Sequence, residues 1–263
     1  MYTDYMLMTA AKNVTRDVSL VFDFIERPYS PVRFKELLVS PNEMKQKFIR
    51  LINEEIKNKQ AGKPAYILIK INHITDPVMV KKLYEASSHG VRIDLLVRGN
   101  CSLITGVPGV SDAIRINGII DRYLEHSRIF IFANGGDEKM FIGSADWMPR
   151  NLNERVELMT PVEFPPHKER IKRILKVYFD DNVKAYAMNS DGSYRYLADE
   201  RQGKPVNAQD TCQRQAERLA SERKKAARQS ARSSCVRVLL KKTSKLTSLP
   251  VFAKMKRKAL GGM

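Results

Sequence analysis

The sequence predicts a mixed α/β fold, one sheet flanked by helices, and three observations carry that expectation. Between Ala65 and Val97 a strand pattern, a helix pattern and a second strand pattern follow one another, and a crossover of that length joins parallel strands. Arg128–Phe132 (RIFIF) and Lys139–Gly143 (KMFIG) are β-branched and aromatic runs on either side of Asn134-Gly135-Gly136-Asp137, which reads as an antiparallel hairpin. Stretches with apolar residues three and four apart, in Asn13–Glu26 and His167–Phe179 among others, read as helices with one face on the sheet.

In chain order, Met1–Thr9 alternates as a strand does. Asn13–Glu26 places Val14, Val18, Val21, Phe22 and Ile25 on one helical face, with Asn13 or Thr15 as cap and Pro28 and Pro31 as stop. A new unit begins near Phe34. Ser40-Pro41-Asn42-Glu43 starts a helix carrying Phe48, Ile49, Ile52 and Ile56, which ends at Gly62-Lys63-Pro64. Ala65–Asn72 is a buried strand whose Lys70 and Asn72 emerge at the C-terminal end, the edge where open α/β sheets bind ligands. Pro77–His89 is a helix, and Val91–Val97, Ala113–Ile119 and Arg155–Thr160 are strands. Periodicity fades beyond Asp191, except that Ala208–Arg228 reads as a solvated helix.

The 263 residues, 43% hydrophobic and 8% aromatic, suffice for a proper core and one or two domains. The net charge of +17 is unevenly spread: 17 of 46 Lys and Arg but only 5 of 29 Asp and Glu lie from Leu197 onward, so that segment carries +12. Its Lys241-Lys242 and Lys254–Lys258 suit an anionic polymer or surface electrostatically, or belong to a disordered tail. Cys101, Cys212 and Cys235 lack CxxC spacing, which argues against a disulfide framework or zinc site and fits a reducing cytoplasm. No apolar run approaches the roughly 20 residues of a membrane span.

The hairpin's outer ends hold the chemistry. His126, Arg122 and Arg128 surround its first strand, and Ser144, Asp146, Arg150 and Asn151 follow its second. Outer ends of antiparallel strands are neighbours, so these groups converge either as a phosphate site or as a solvated loop end with Arg–Asp pairs. Arg98, followed by Gly99-Asn100-Cys101-Ser102, either grips phosphate oxygens or pairs with an acidic neighbour. Glu157 is either an orienting carboxylate for His126 or Arg150 or a solvent-facing strand residue. Trp147, the sole tryptophan, is expected to pack beneath the hairpin.

IIDRYLEHSRIFIF, NGGD and GSADWMPRNL with RVEL resemble the C-terminal part of bacterial polyphosphate kinase of the first type. Upstream, YTDYMLMTA, FDFIERPYSPVRFKELLVSP and LLVRGNCSLI extend the resemblance over roughly residues 2 to 196. It implies a phospholipase D-like half, of which two similar copies face each other in the family. Residues 1–35 are then the remnant of a first catalytic domain, 36–196 the second domain, and 197–263 a basic tail, helical to about 224 and disordered after. The Met1 start accordingly looks like a truncation or an interior start codon.

The resemblance also implies a reaction, the reversible transfer of ATP's terminal phosphoryl group to polyphosphate through a phosphohistidine. Tyr2 matches a tyrosine beside the adenine ring, Arg98 and His126 contact nucleotide phosphates with His126 as an acid–base group, and Arg128 and Arg150 add positive charge. Ser144, Asp146, Asn151 and Glu157 support them. Of His73, His89, His126 and His167 only His126 lies in a matching motif, and the nucleophile's flanking I-H-x-K and G-T-G-N-F-N segments are not in these residues. The chain alone is therefore expected to be inactive. Implied partners are ATP and ADP, polyphosphate, the N-terminal catalytic part and a second copy of the chain, with Mg2+ arriving on ATP. The implied location is the cytoplasm, peripheral to the inner membrane within a kinase complex. Against a phospholipase D-like phosphodiesterase half-site stand Arg128 where lysine is usual, Asp146 where asparagine is usual, and Ala133 in place of an aspartate. A non-catalytic polyanion-binding module is the third reading.

Overall fold

A sheet of nine strands organises the computed structural model, which describes residues 2–27, 31–200 and 203–247, with side chains over 3–27, 31–200 and 203–229. The first half runs β1 (Tyr2–Thr3), α1 (Lys12–Glu26), β2 (Leu38–Ser40), α2 (Met44–Gln60), β3 (Tyr66–Ile71), α3 (Pro77–Ser88), β4 (Arg92–Val97) and β5 (Ile114–Ile119). The second runs β6 (Leu124–Glu125), β7 (Arg128–Phe132), β8 (Lys139–Gly143), α4 (Pro149–Asn153), β9 (Glu157–Pro161), α5 (Pro165–Phe179), β10 (Ala185–Met188), β11 (Tyr194–Tyr196) and α6 (Ala208–Thr247). The strand order is β11-β10-β5-β4-β3-β7-β8-β9-β2. The chain divides into two units, residues 1–211 and a second that starts at Cys212.

Strands β3, β4 and β5 pair in parallel, and β7, β8, β9 and β2 continue the sheet antiparallel from β3. The mixed sheet is thus the fold class expected. Alternation divides β3 between two faces. Ile67, Ile69 and Ile71 enter the main core with Phe48 and Ile52 of α2, Met79 and Leu83 of α3, and Trp147. Lys70 points to the opposite face, where its ammonium lies 5.5 Å from the ring centre of Tyr178 in α5. Asp76 caps α3 by accepting from the Val78 and Met79 amides, with Pro77 at the first helical position. Removing that side chain would cost about 1 kcal/mol.

The parallel strands' C-terminal ends, the start of β7, the ends of β8 and β2 and the start of β9 all lie at one sheet edge, because antiparallel neighbours reverse direction. Gly143 closes the hairpin there: a Cβ would come within 1.9 Å of the Leu158 carbonyl, so only glycine lets β8 and β9 approach. Trp147 packs as expected, fully buried with its ring centre 5.3 Å from Phe130 and 5.4 Å from Phe48.

Several elements differ from expectation. Of residues 2–9 only Tyr2–Thr3 forms a strand, pairing in parallel with Leu124–Glu125, and Met6 and Met8 are exposed. In α1 the buried face is Val14, Asp17, Val21 and Phe24, whereas Val18, Phe22 and Ile25 are exposed. The cause is Asp17, whose carboxylate accepts from the amides of Glu36 and Leu37 and turns the helix toward that loop. Leu38–Ser40 is an edge strand, so α2 starts only at Met44. Strands β10 and β11, too short to show alternation, complete the sheet at its other edge. Helix α6 continues to Thr247, past the expected end near 224, over 40 residues without glycine or proline. Lys254–Lys258 lies outside the described residues.

Candidate functional site

Three of the expected side chains meet in one bonded cluster at this sheet edge. Arg128, at the start of β7 and partly buried, pairs with the buried Asp146: Nη2 lies 2.9 Å from Oδ2 and Nε 3.3 Å from Oδ1. Its Nη1 donates to the His126 carbonyl at 2.8 Å and lies 3.2 Å from the imidazole Nε2. His126 Nδ1 is 2.9 Å from Asp4 Oδ2, which favours the tautomer with the proton on Nδ1. Asp146 also accepts from the amides of Asn72 and His73, at 2.9 and 3.3 Å. Asp146 therefore anchors the end of β3 as well as Arg128. A carboxylate in place of asparagine balances the one guanidinium that the cluster buries.

Arg98 stands at the end of β4. Its Nε–H donates to Asn72 Oδ1 at 2.8 Å and to the Glu125 carbonyl at 2.5 Å, and its two terminal nitrogens have no protein partner among the described residues. Of the two alternatives for Arg98, pairing with an acidic side chain is not what holds it. Two neutral acceptors grip one nitrogen and leave the fork, and its full charge, for a ligand. Gly99 is needed next to it, because a Cβ would lie 2.4 Å from the His73 ring and 2.9 Å from the Asn72 carbonyl.

Glu157 requires a correction. It is buried and accepts from Ser144 Oγ and from Asn151 Nδ2 at 2.6 Å, and neither His126 nor Arg150 is its partner. Register decides this, since β8 and β9 pair Gly143 with Met159 and bring Ser144 alongside the start of β9. Ser144, Asn151 and Glu157 thus form a second cluster that fastens α4 to the sheet. Arg150 lies exposed on α4 and makes no side-chain hydrogen bond among the described residues. Arg122 is also exposed, 2.8 Å from Asp210. The three guanidiniums near the hairpin therefore do not converge. The Tyr2 backbone pairs with Leu124, and its side chain lies outside the described residues.

A further layer lies beneath. Lys70 and Glu125, both buried, pair at 3.1 Å; Lys70 also donates to Ser127 Oγ at 2.8 Å. Burial pushes the Lys70 ammonium below its ordinary pKa, partly offset by the Glu125 charge. Glu125 accepts in addition from Thr3 Oγ1 (2.8 Å), Tyr178 Oη (3.1 Å) and Gln209 Nε2 (2.6 Å). Sequence reading passed over Glu125, Asp4 and Ser127. A signal existed for one of them: a lone lysine inside the buried run AYILIKIN requires a buried counter-charge.

Among the described residues no group of three or more His, Cys, Asp or Glu converges in a way that would hold a metal ion. None of their helices is long and apolar enough to cross a membrane.

Comparisons with known proteins agree with this architecture. Residues 37–209 match the family model described as polyphosphate kinase C-terminal domain 2. Polyphosphate kinase of Escherichia coli strain K12 is 47% identical over 197 residues, which covers 75% of this chain and 29% of that protein. The Pseudomonas aeruginosa polyphosphate kinase is 44% identical over 211 residues, covering 80% of this chain and 31% of the relative. The crystal structure of polyphosphate kinase from Porphyromonas gingivalis superposes with a TM-score of 0.76 at 40% identity, covering 82% of this chain and 33% of that one. The chain thus spans less than a third of the length of these curated relatives. It belongs to the polyphosphate kinase family, within which it carries the C-terminal domain 2.

Proposed function

We propose that this domain contributes nucleotide- and polyphosphate-binding residues to a polyphosphate kinase, in which ATP and polyphosphate of n units give ADP and polyphosphate of n + 1 units. The first step forms an N–P bond on a nucleophilic histidine as the bond from ATP's β–γ bridging oxygen to the γ-phosphorus breaks. In the second, a terminal oxygen of polyphosphate takes the phosphoryl group and the histidine is restored. The nucleophile is assigned to the part of the relatives that this chain does not span, so the chain by itself completes no turnover. Phosphoryl transfer depends mostly on positioning and on stabilising charge at the phosphoryl oxygens. Arg98 supplies a forked cation for those oxygens. His126, with its Nδ1 proton held by Asp4, offers Nε2 for proton exchange with a phosphate oxygen once a ligand displaces the Arg128 contact.

The observation that carries this reading is Arg98: a partly buried guanidinium gripped at Nε alone, with both terminal nitrogens unbonded among the described residues. In this reading magnesium arrives with ATP as its counter-ion. The phosphodiesterase alternative fits less well, because Arg128, at the position of that superfamily's lysine, is committed to Asp146.

Incubation with γ-³²P-ATP and Mg2+, with and without the remaining part of a polyphosphate kinase as a second chain, tests the proposal. Acid-labile, base-stable label is expected on the second chain and not on this one. Label on His126 would overturn the role given to it.

A further inference from the structure

We propose that Glu125, paired with Lys70, is the positioning residue that sets Arg98 and His126 in place together. This rests on the phosphate-binding reading above. Four side chains converge on the Glu125 carboxylate, from three separate parts of the chain besides β3: Lys70 on β3, Thr3 on β1, Tyr178 on α5 and Gln209 at the start of α6. Its side chain is 4% exposed, and so many fixed donors leave it a single rotamer. The same residue's carbonyl accepts from Arg98 Nε at 2.5 Å, and its peptide bond leads directly into His126.

The His126 backbone is held from the same direction. Its amide donates to the Thr3 carbonyl at 3.2 Å, while Thr3 pairs with Glu125 and Asp4 bonds the imidazole. Burying one lysine and one carboxylate gives little net stability, so stability alone is a weak explanation for the pair. What the pair does supply is direction: the two candidate ligand-contacting groups are set by one short segment, Leu124–His126, whose only β partner among the described residues is the two-residue strand β1. A segment paired so briefly needs its side chain anchored to hold a geometry within the tolerance that a binding site demands.

The test uses the full chain and two readouts, affinity for tripolyphosphate by calorimetry and the Arg98 Nε–Hε signal by ¹⁵N NMR, assigned through its loss in Arg98→Lys. In Glu125→Gln the affinity is expected to fall roughly tenfold, as for other residues that orient a contacting group. The Arg98 signal is expected to move and exchange faster, while the Arg115 Nε–Hε and Trp147 indole signals stay in place. Thr3→Val removes one hydrogen bond at the rim of the network and serves, with smaller shifts in the same direction, should Glu125→Gln fail to fold. An unmoved Arg98 signal in a folded variant overturns the proposal, whatever happens to affinity. If the unaltered chain binds no tripolyphosphate but the signal still moves, the phosphate-binding reading falls and the positioning role stands.

Discussion

The two ends of the β7–β8 hairpin are built from the same two strands and do opposite things. At the turn end the buried polar groups are matched by protein, while Asp137 and Lys139 pair with each other on the exposed rim. Glu55, fully buried, accepts from the amides of Tyr66 and Asn134, Tyr66 Oη donates to Glu138, and Lys168 donates to the Glu138 carbonyl. At the outer end, cations outnumber their partners. Arg128 is balanced by Asp146, but the Arg98 fork and the Arg150 guanidinium have no protein acceptor among the described residues. Under the proposed function the difference separates an end that serves stability from one that would serve a ligand: satisfied groups stabilise, and an unsatisfied cation kept in position suits an anion.

The largest effect that sharpens this contrast lies within the outer end. Arg128→Ala leaves Asp146 buried without its cation and should destabilise the fold by about 3–5 kcal/mol in urea unfolding. A loss below 1 kcal/mol would mean that the Arg128–Asp146 pair is not a structural anchor. Next, Arg98→Ala should weaken tripolyphosphate binding roughly 10- to 100-fold, the worth of charge-assisted hydrogen bonds, with little change in unfolding midpoint. A lowered midpoint with intact binding would reverse the assignment of the two ends. At the turn end, Glu55→Ala should cost about 1–3 kcal/mol, because two amides lose their acceptor, and should leave tripolyphosphate affinity unchanged.

The smallest effects are in pH dependence, where the two ends have opposite signs. Burial raises the Glu55 carboxyl above 4.5, so over a window above that value the folded chain holds a proton that the unfolded chain has released. Stability from this group therefore falls as pH rises through the window, and Glu55→Gln should remove that slope. Burial lowers Lys70 below 10.5, so over a window below that value the unfolded chain binds the extra proton. Stability there rises with pH, and Lys70→Met should flatten the rise. Denaturant midpoints across both windows, in the parent and each variant, check the two signs.

Much of the fold was legible because its signals are local. The alternating, β-branched runs at 66–71, 92–97, 128–132 and 139–143 mark strands by themselves, and the Asn134–Gly136 turn has positive φ at all three residues, as Asn and Gly permit. The face of α1 was misread because a buried aspartate, Asp17, outweighed three apolar residues once two backbone amides needed an acceptor. The edge strands β2 and β11, and β10 next to β11, have three or four residues each, too few for a period of two to show.

Sequence by itself determined the sheet's central strands, the helices on it, the hairpin and the family, since propensity, periodicity and motif spacing all lie along the chain. It also located Arg98, His126, Arg128 and Asp146 near one edge. Only the tertiary structure decided the partners: that Glu157 serves Ser144 and Asn151, that Arg150 stands apart, and that Lys70 reaches Glu125 across 55 positions of sequence. Hydrogen bonds and ion pairs form over about 3 Å, so a shift of one residue in strand register exchanges every partner. That register comes from the packing of the whole sheet.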